Sequence, residues 1–123
     1  MPKVMLIEDD ATMNSLLSLL LQLEGFEVVQ LGDENNLEDI LDALRRAEPA
    51  LALIDIHLRQ LSGLELLNAI RQAAELDSMR VLMSSGIDFR DECLQAGADN
   101  FVLKPYMPDD LVDAIRQLLE PDS

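Results

Sequence analysis

The chain has 123 residues with 9 Lys plus Arg against 24 Asp plus Glu, a formal charge of −15, and it is 49% apolar, enough for one domain with its own core and too hydrophobic for a disordered chain. So negative a field repels nucleic-acid phosphates and anionic lipid, which excludes direct nucleic-acid binding. The lone Cys93 cannot form an internal disulfide, and the lone His57 cannot build a His-rich or Cys/His metal site.

Val4-Met5-Leu6-Ile7 reads as a strand, followed by a helix carrying Met13, Leu16, Leu17 and Leu20 and closed by Gly25. Glu27 to Leu31 has strand character and turns at Gly32-Asp33. Leu37, Ile40, Leu41 and Leu44 then give a helical stripe that Pro49 stops. Leu51-Ala52-Leu53-Ile54 is the continuous apolar run of a strand covered on both faces, and Leu64, Leu67 and Ile70 resume the helical period. Val81-Leu82-Met83 is a fourth strand, Asp91 to Ala96 a short helix capped by Gly97, and Phe101-Val102-Leu103 a fifth strand. Pro108 opens the last helix, with Asp109 and Asp110 in its positive first turn and Leu111, Ile115 and Leu118 as its buried stripe. Five β-α units predict a doubly wound five-stranded parallel sheet with five helices, because right-handed crossovers are the common way to join parallel neighbours. The leucine-dense Leu16–Leu23 stretch is too short for the roughly 20 apolar residues of a span, so no membrane helix is expected. The Met1-Pro2-Lys3-Val4 start is unlike a signal peptide, and no export is expected. A cytoplasmic location fits best.

Ligands of such sheets bind beyond the carboxyl ends of the strands. There the sequence sets Glu8-Asp9-Asp10 after strand one, Asp55 at the end of strand three, Ser84-Ser85-Gly86 at strand four and Lys104-Pro105 after strand five. Converging carboxylates repel by about 1–4 kcal/mol per close pair, so a cation must compensate. A hard divalent ion such as Mg²⁺ (or Mn²⁺) suits oxygen ligands, and Lys104 adds a second positive centre. A nucleophilic carboxylate at Asp55, a metal, a lysine and a hydroxyl form a complete set for phosphoryl transfer, which needs alignment and charge neutralisation.

With Leu6-Ile7-Glu8-Asp9-Asp10, Ala52-Leu53-Ile54-Asp55 with Gly63, Ser85-Gly86, and Gly97-Ala98-Asp99 leading to Lys104-Pro105, the chain resembles the response-regulator receiver domain of two-component signalling over essentially its whole length. The resemblance implies a flavodoxin-like, CheY-like sheet of order 2-1-3-4-5 and a receiver domain over 1–123, with no output domain in this chain. It implies that Asp55 accepts phosphate from the phosphohistidine of a histidine kinase or phosphotransfer protein. Glu8, Asp9, Asp55 and the His57 backbone carbonyl would hold Mg²⁺, and Ser85 and Lys104 would bind phosphoryl oxygens. The Lys104–Pro105 peptide would be cis. Ser85 and Phe101 would form the switch, with Ser85 drawn inward and Phe101 entering the space vacated. The face of the fourth helix, fifth strand and fifth helix would change and offers a candidate homodimer surface. Apart from its own phosphorylation and dephosphorylation at Asp55, no enzymatic activity is implied.

Ser84 competes with Ser85, since strand alternation points only one of them into the site, and Ser85 is favoured. Phe101 reads equally as a core aromatic, Cys93 as a small helix residue, and the six Met as core filling. Arg59 stands where the family usually has proline and Ser62 precedes Gly63, so the loop after Asp55 is expected to be looser. The short Ser85–Lys104 stretch implies a short fourth helix, and Met107 occupies the capping position of the last helix. A haloacid-dehalogenase-type enzyme would need an Asp where His57 stands. A receiver-like interaction module with a dead site is disfavoured by the intact acid pair, Asp55 and Lys104.

Overall fold

The structure, a computed structural model, describes residues 1–120; positions 121–123 of the expected domain lie outside the described residues. In chain order the elements are β1 (Lys3–Ile7), α1 (Ala11–Leu23), β2 (Glu27–Gln30), α2 (Leu37–Ala47), β3 (Leu51–Asp55), α3 (Gly63–Gln72), a 3₁₀ turn (Ala74–Leu76), β4 (Arg80–Ser85), α4 (Arg90–Gln95), β5 (Asn100–Leu103) and α5 (Pro108–Leu119). All strand pairs are parallel and the order is β2-β1-β3-β4-β5, as expected. The chain works outward from β1 first to one side and then to the other, so the direction of winding reverses between β1 and β3, at the rim where Glu8 and Asp55 stand.

Strand alternation divides the core into two layers. Val4, Leu6, Leu51, Leu53 and Leu82 meet Leu17 and Leu21 of α1 and Leu111, Val112 and Ile115 of α5. On the opposite face Met5, Ile7, Ala52, Ile54, Val81, Met83 and Phe101 meet α2, α3 and Cys93 of α4. β3 is buried at every position, which is why it reads as an unbroken apolar run ending in an acid.

Local chemistry sets where the helices begin. Asp10 Oδ1 accepts from Met13 N, Asn36 Oδ1 from Asp39 N and Ser62 Oγ from Leu64 N, each satisfying an orphan amide of a first turn. α2 ends on Glu48, at φ 50°, while α1 and α4 run into Gly25 and Gly97, at φ 95° and 107°. A side chain at position 97 would also strike Arg71 Cγ, at 2.8 Å. The Arg71 guanidinium donates to Gly97 O, Met79 O and Asp99 Oδ2, tying α3 to the turn before β5. Burial pushes the Cys93 thiol up, with Glu92 adding to it, in keeping with an inert core residue. α4 has six residues, as the short interval predicts. Among the described residues no helix is long and apolar enough to cross a membrane.

α5 lacks a side-chain cap because Met107 holds the position, its side chain largely in solvent. Met107→Ser is expected to raise stability by about 1 kcal/mol in chemical denaturation; an unchanged midpoint would mean that Pro108, Asp109 and Asp110 already satisfy that turn.

Candidate functional site

Strand ends β1, β3 and β5 deliver Glu8, Asp55 and Lys104 to one point. Lys104 Nζ lies 2.7 Å from Glu8 Oε1 and 3.0 Å from Asp55 Oδ2. The side chains of Glu8 and Asp55 are only 9% and 10% exposed, so one ammonium offsets the mutual repulsion of two nearly buried carboxylates. Burial alone would lower the Lys104 pKa, but its bonds to Glu8 and Asp55 outweigh that and hold it above the ordinary lysine value. The lysine backbone is anchored too, its N–H donating to Ser85 O at 2.8 Å, and the Lys104–Pro105 peptide is cis.

The Asp55 carboxylate is oriented from its other side by the His57 N–H, which donates to Oδ1 at 3.1 Å. The His57 side chain is exposed, its ring 6.2 Å from that of Phe89. The loop beyond Asp55 is not loose. Gly63 N donates to Ile56 O at 2.8 Å, His57 pairs with Ser62, and Arg59 N donates to Asp9 Oδ2. Backbone bonds and the Ser62 cap close it without the missing proline. Gly63 is required there because a Cβ would sit 2.4 Å from Asp55 O and 2.7 Å from Ile56 Cα.

Glu8 and Asp55 therefore meet, while Asp9 is exposed and turned to the Arg59 amide, and Asp10 caps α1. Asn14 Nδ2 donates to the Glu8 carbonyl and fixes the end of β1 against α1. Among the described residues no three His, Cys, Asp or Glu side chains gather closely enough to cage a metal. The donor chemistry still suits a hard divalent ion, which takes one or two carboxylates and keeps several waters. Two carboxylates facing one ammonium leave the charge balance there negative.

The two serines separate by face. Ser84 is the register partner of Asp55, follows Leu82 in alternation and shares a small cavity with Glu8, Asp55 and Tyr106. Ser85 lies on the opposite parity with Met83, and its Oγ accepts from Ile87 N at 3.1 Å. Alternation thus brings Ser84 beside Asp55, and Ser85 borders the site by ending β4. Phe101 is already buried, 1% exposed, beneath an Arg90 guanidinium 5.8 Å from its ring centre, and Arg90 also donates to its carbonyl. The expected movement of Phe101 belongs to the phosphorylated chain, and this arrangement is the one it would start from. Ser84 was legible in principle from its parity with Leu82, whereas no periodicity marks Tyr106.

The family model described as response regulator receiver domain matches residues 4–116. Among curated relatives, the DNA-binding response regulator MtrA of Mycobacterium tuberculosis is 29% identical over 119 residues, covering 95% of this chain and 50% of its own length. The transcriptional regulatory protein CpxR of Escherichia coli is 32% identical over 119 residues, covering 97% of this chain and 50% of its own. The chain spans about half the length of the curated relatives it matches. Among solved structures, a CheY-like response regulator receiver domain protein from Methanospirillum hungatei aligns at TM-score 0.85 and 27% identity, covering 98% of this chain and 95% of that one. A putative response regulator from Chloroflexus aurantiacus aligns at TM-score 0.85 and 25% identity, covering 97% and 98%.

Lys104→Met is expected to cost about 3 kcal/mol at neutral pH by stranding two carboxylates, and adding Glu8→Gln should recover part of it. The raised Lys104 pKa gives stability that is complete below the ordinary value near 10.5 and is lost as pH rises past it, so denaturation at alkaline pH should show a steeper loss in the wild type than in Lys104→Met, where the raised Tyr106 pKa still contributes.

Proposed function

We infer the function from one premise: this chain belongs to the response regulator receiver domain family of two-component systems. On that premise Asp55 is the phosphoacceptor. The observation that carries the reading is the shared grip of Lys104 on Glu8 and Asp55 at the point where the winding of the sheet reverses.

In the proposed reaction an Asp55 carboxylate oxygen attacks the phosphorus of a phosphohistidine on a histidine kinase or phosphotransfer protein. The O–P bond forms, the P–N bond breaks, and the imidazole leaves and takes up a proton. Lys104, already 3.0 Å from Asp55 Oδ2, is the cation available to the transferring phosphoryl oxygens. The His57 N–H holds the other oxygen and so fixes which lone pairs face the donor. Mg²⁺ or Mn²⁺ would be held by Glu8, Asp9, Asp55 and the His57 carbonyl; when bound it would supply charge neutralisation for the phosphoryl oxygens. Ser85, ending β4, would hydrogen-bond a phosphoryl oxygen, with Ser84 as the hydroxyl on Asp55's own face.

The new charge, about −1.5 to −2, is the signal. Because Phe101 is buried and covered by Arg90, the proposed switch is a regripping of that buried ring and of the Ser85–Ile87 turn. It is read out on the face of α4, β5 and α5, where Leu94 and Leu103 are exposed, and a homodimer through that face is one form of the readout. The domain catalyses only its own phosphorylation and dephosphorylation. With −15 net charge it makes no direct nucleic-acid contact in this reading. A cytoplasmic location accords with a kinase as phosphodonor.

Incubation with Mg²⁺ and acetyl phosphate should add one phosphoryl group to the intact mass of the wild type, and neither Asp55→Asn nor EDTA-treated protein should gain it. An unmodified wild type that also fails to bind beryllofluoride would favour a receiver-like module without phosphate chemistry.

A further inference from the structure

Beneath the Glu8–Lys104–Asp55 contact lies the small cavity that these two carboxylates share with Ser84 and Tyr106, walled otherwise by apolar groups such as Leu17 and Leu53. It has no room for a water molecule. The Tyr106 hydroxyl is buried and has no hydrogen-bond partner; Asn14 Oδ1 is the other such side-chain atom among the described residues. A buried phenol without a partner is an anomaly, because it gives up its bond to water and gains nothing in return. With no room there for a resident water, a neighbouring protein group is the partner the site can supply.

The charges around the cavity indicate which partner. At present both carboxylates accept from Lys104, at 2.7 and 3.0 Å. A phenol keeps its proton at neutral pH, so Tyr106 is a donor. A doubly charged group placed on Asp55 competes for the single ammonium, and whichever carboxylate oxygen Lys104 releases needs another donor. We propose that the Tyr106 hydroxyl is a positioning group for the acidic site, unpaired while Lys104 bridges Glu8 and Asp55 and hydrogen-bonded to a released carboxylate once Lys104 is drawn to charge on Asp55. This rests on the phosphoacceptor reading above. Its consequence is that Tyr106 favours the charged state by gaining a bond that the uncharged state lacks.

Tyr106 is the one Tyr in a chain without Trp, so the near-ultraviolet tyrosine band reports on this hydroxyl alone. The test titrates the full chain with beryllofluoride in the presence of Mg²⁺, comparing wild type with Tyr106→Phe. In the wild type the tyrosine absorbance should shift saturably to longer wavelength, the direction given by hydrogen-bond donation from a phenol. Tyr106→Phe should melt at or above the wild-type temperature without ligand and bind beryllofluoride about fivefold to tenfold more weakly. An unmoved tyrosine band at saturation, or equal affinity in Tyr106→Phe, would overturn the proposal and leave the phosphoacceptor reading intact. A lower melting temperature in unliganded Tyr106→Phe would overturn it too, by showing that the hydroxyl already has a partner. A wild type that binds no beryllofluoride would overturn both.

Discussion

One ammonium between two carboxylates organises this molecule. Glu8, Asp55 and Lys104 come from the ends of three strands, far apart in sequence, and Lys104 Nζ lies within 3.0 Å of both acids. In a chain of net charge −15, a pair of nearly buried carboxylates would be an expense without that cation. The sheet makes the meeting possible. Parallel strands in the order β2-β1-β3-β4-β5 put all their carboxyl ends on one rim, and the reversal of winding between β1 and β3 leaves that rim uncovered beside Asp55.

The surrounding groups keep the contact in place without neutralising it further. Gly63 lets the loop close against the backbone of Asp55 and Ile56, the His57 amide fixes one Asp55 oxygen, and the Lys104 N–H is tied to Ser85. On the opposite side of the fold Arg71 spends its guanidinium on Gly97, Met79 and Asp99, which sets the turn into β5 and hence the position from which Lys104 reaches. Two negative charges there face one positive one, the imbalance on which the proposed cation and phosphoryl chemistry rests. Tyr106 lines the same small cavity, its hydroxyl without a hydrogen-bond partner.

Much of this was legible in the chain itself. Short apolar runs and period-3.6 stripes locate the five strands and five α-helices, Pro49, Gly25 and Gly97 mark ends, and the short interval between Ser85 and Lys104 foretells a short α4, while the 3₁₀ turn Ala74–Leu76 carried no such signal. The meeting of Glu8, Asp55 and Lys104 follows from strand ends alone. What escaped was set by side-chain direction and long-range pairing, which periodicity does not encode. Asp9 turns to Arg59, Ser84 instead of Ser85 shares the face of Asp55, Phe101 is already covered by Arg90, and the loop after Asp55 is closed by backbone bonds. Glu48 takes a left-handed conformation that glycine usually supplies, a choice no local signal announces.

The central claim is that the rim is a specific cation and phosphoryl site and not merely part of an acidic surface. The most direct measurement is a Mg²⁺ titration of the isotopically labelled chain, followed by the backbone amide resonances of all residues at fixed ionic strength. The account predicts saturable shifts confined to the strand-end rim around Glu8, Asp9, Asp55, His57 and Lys104, abolished in Asp55→Asn. Non-saturating shifts spread over the acidic surface, unchanged by that substitution, would contradict it.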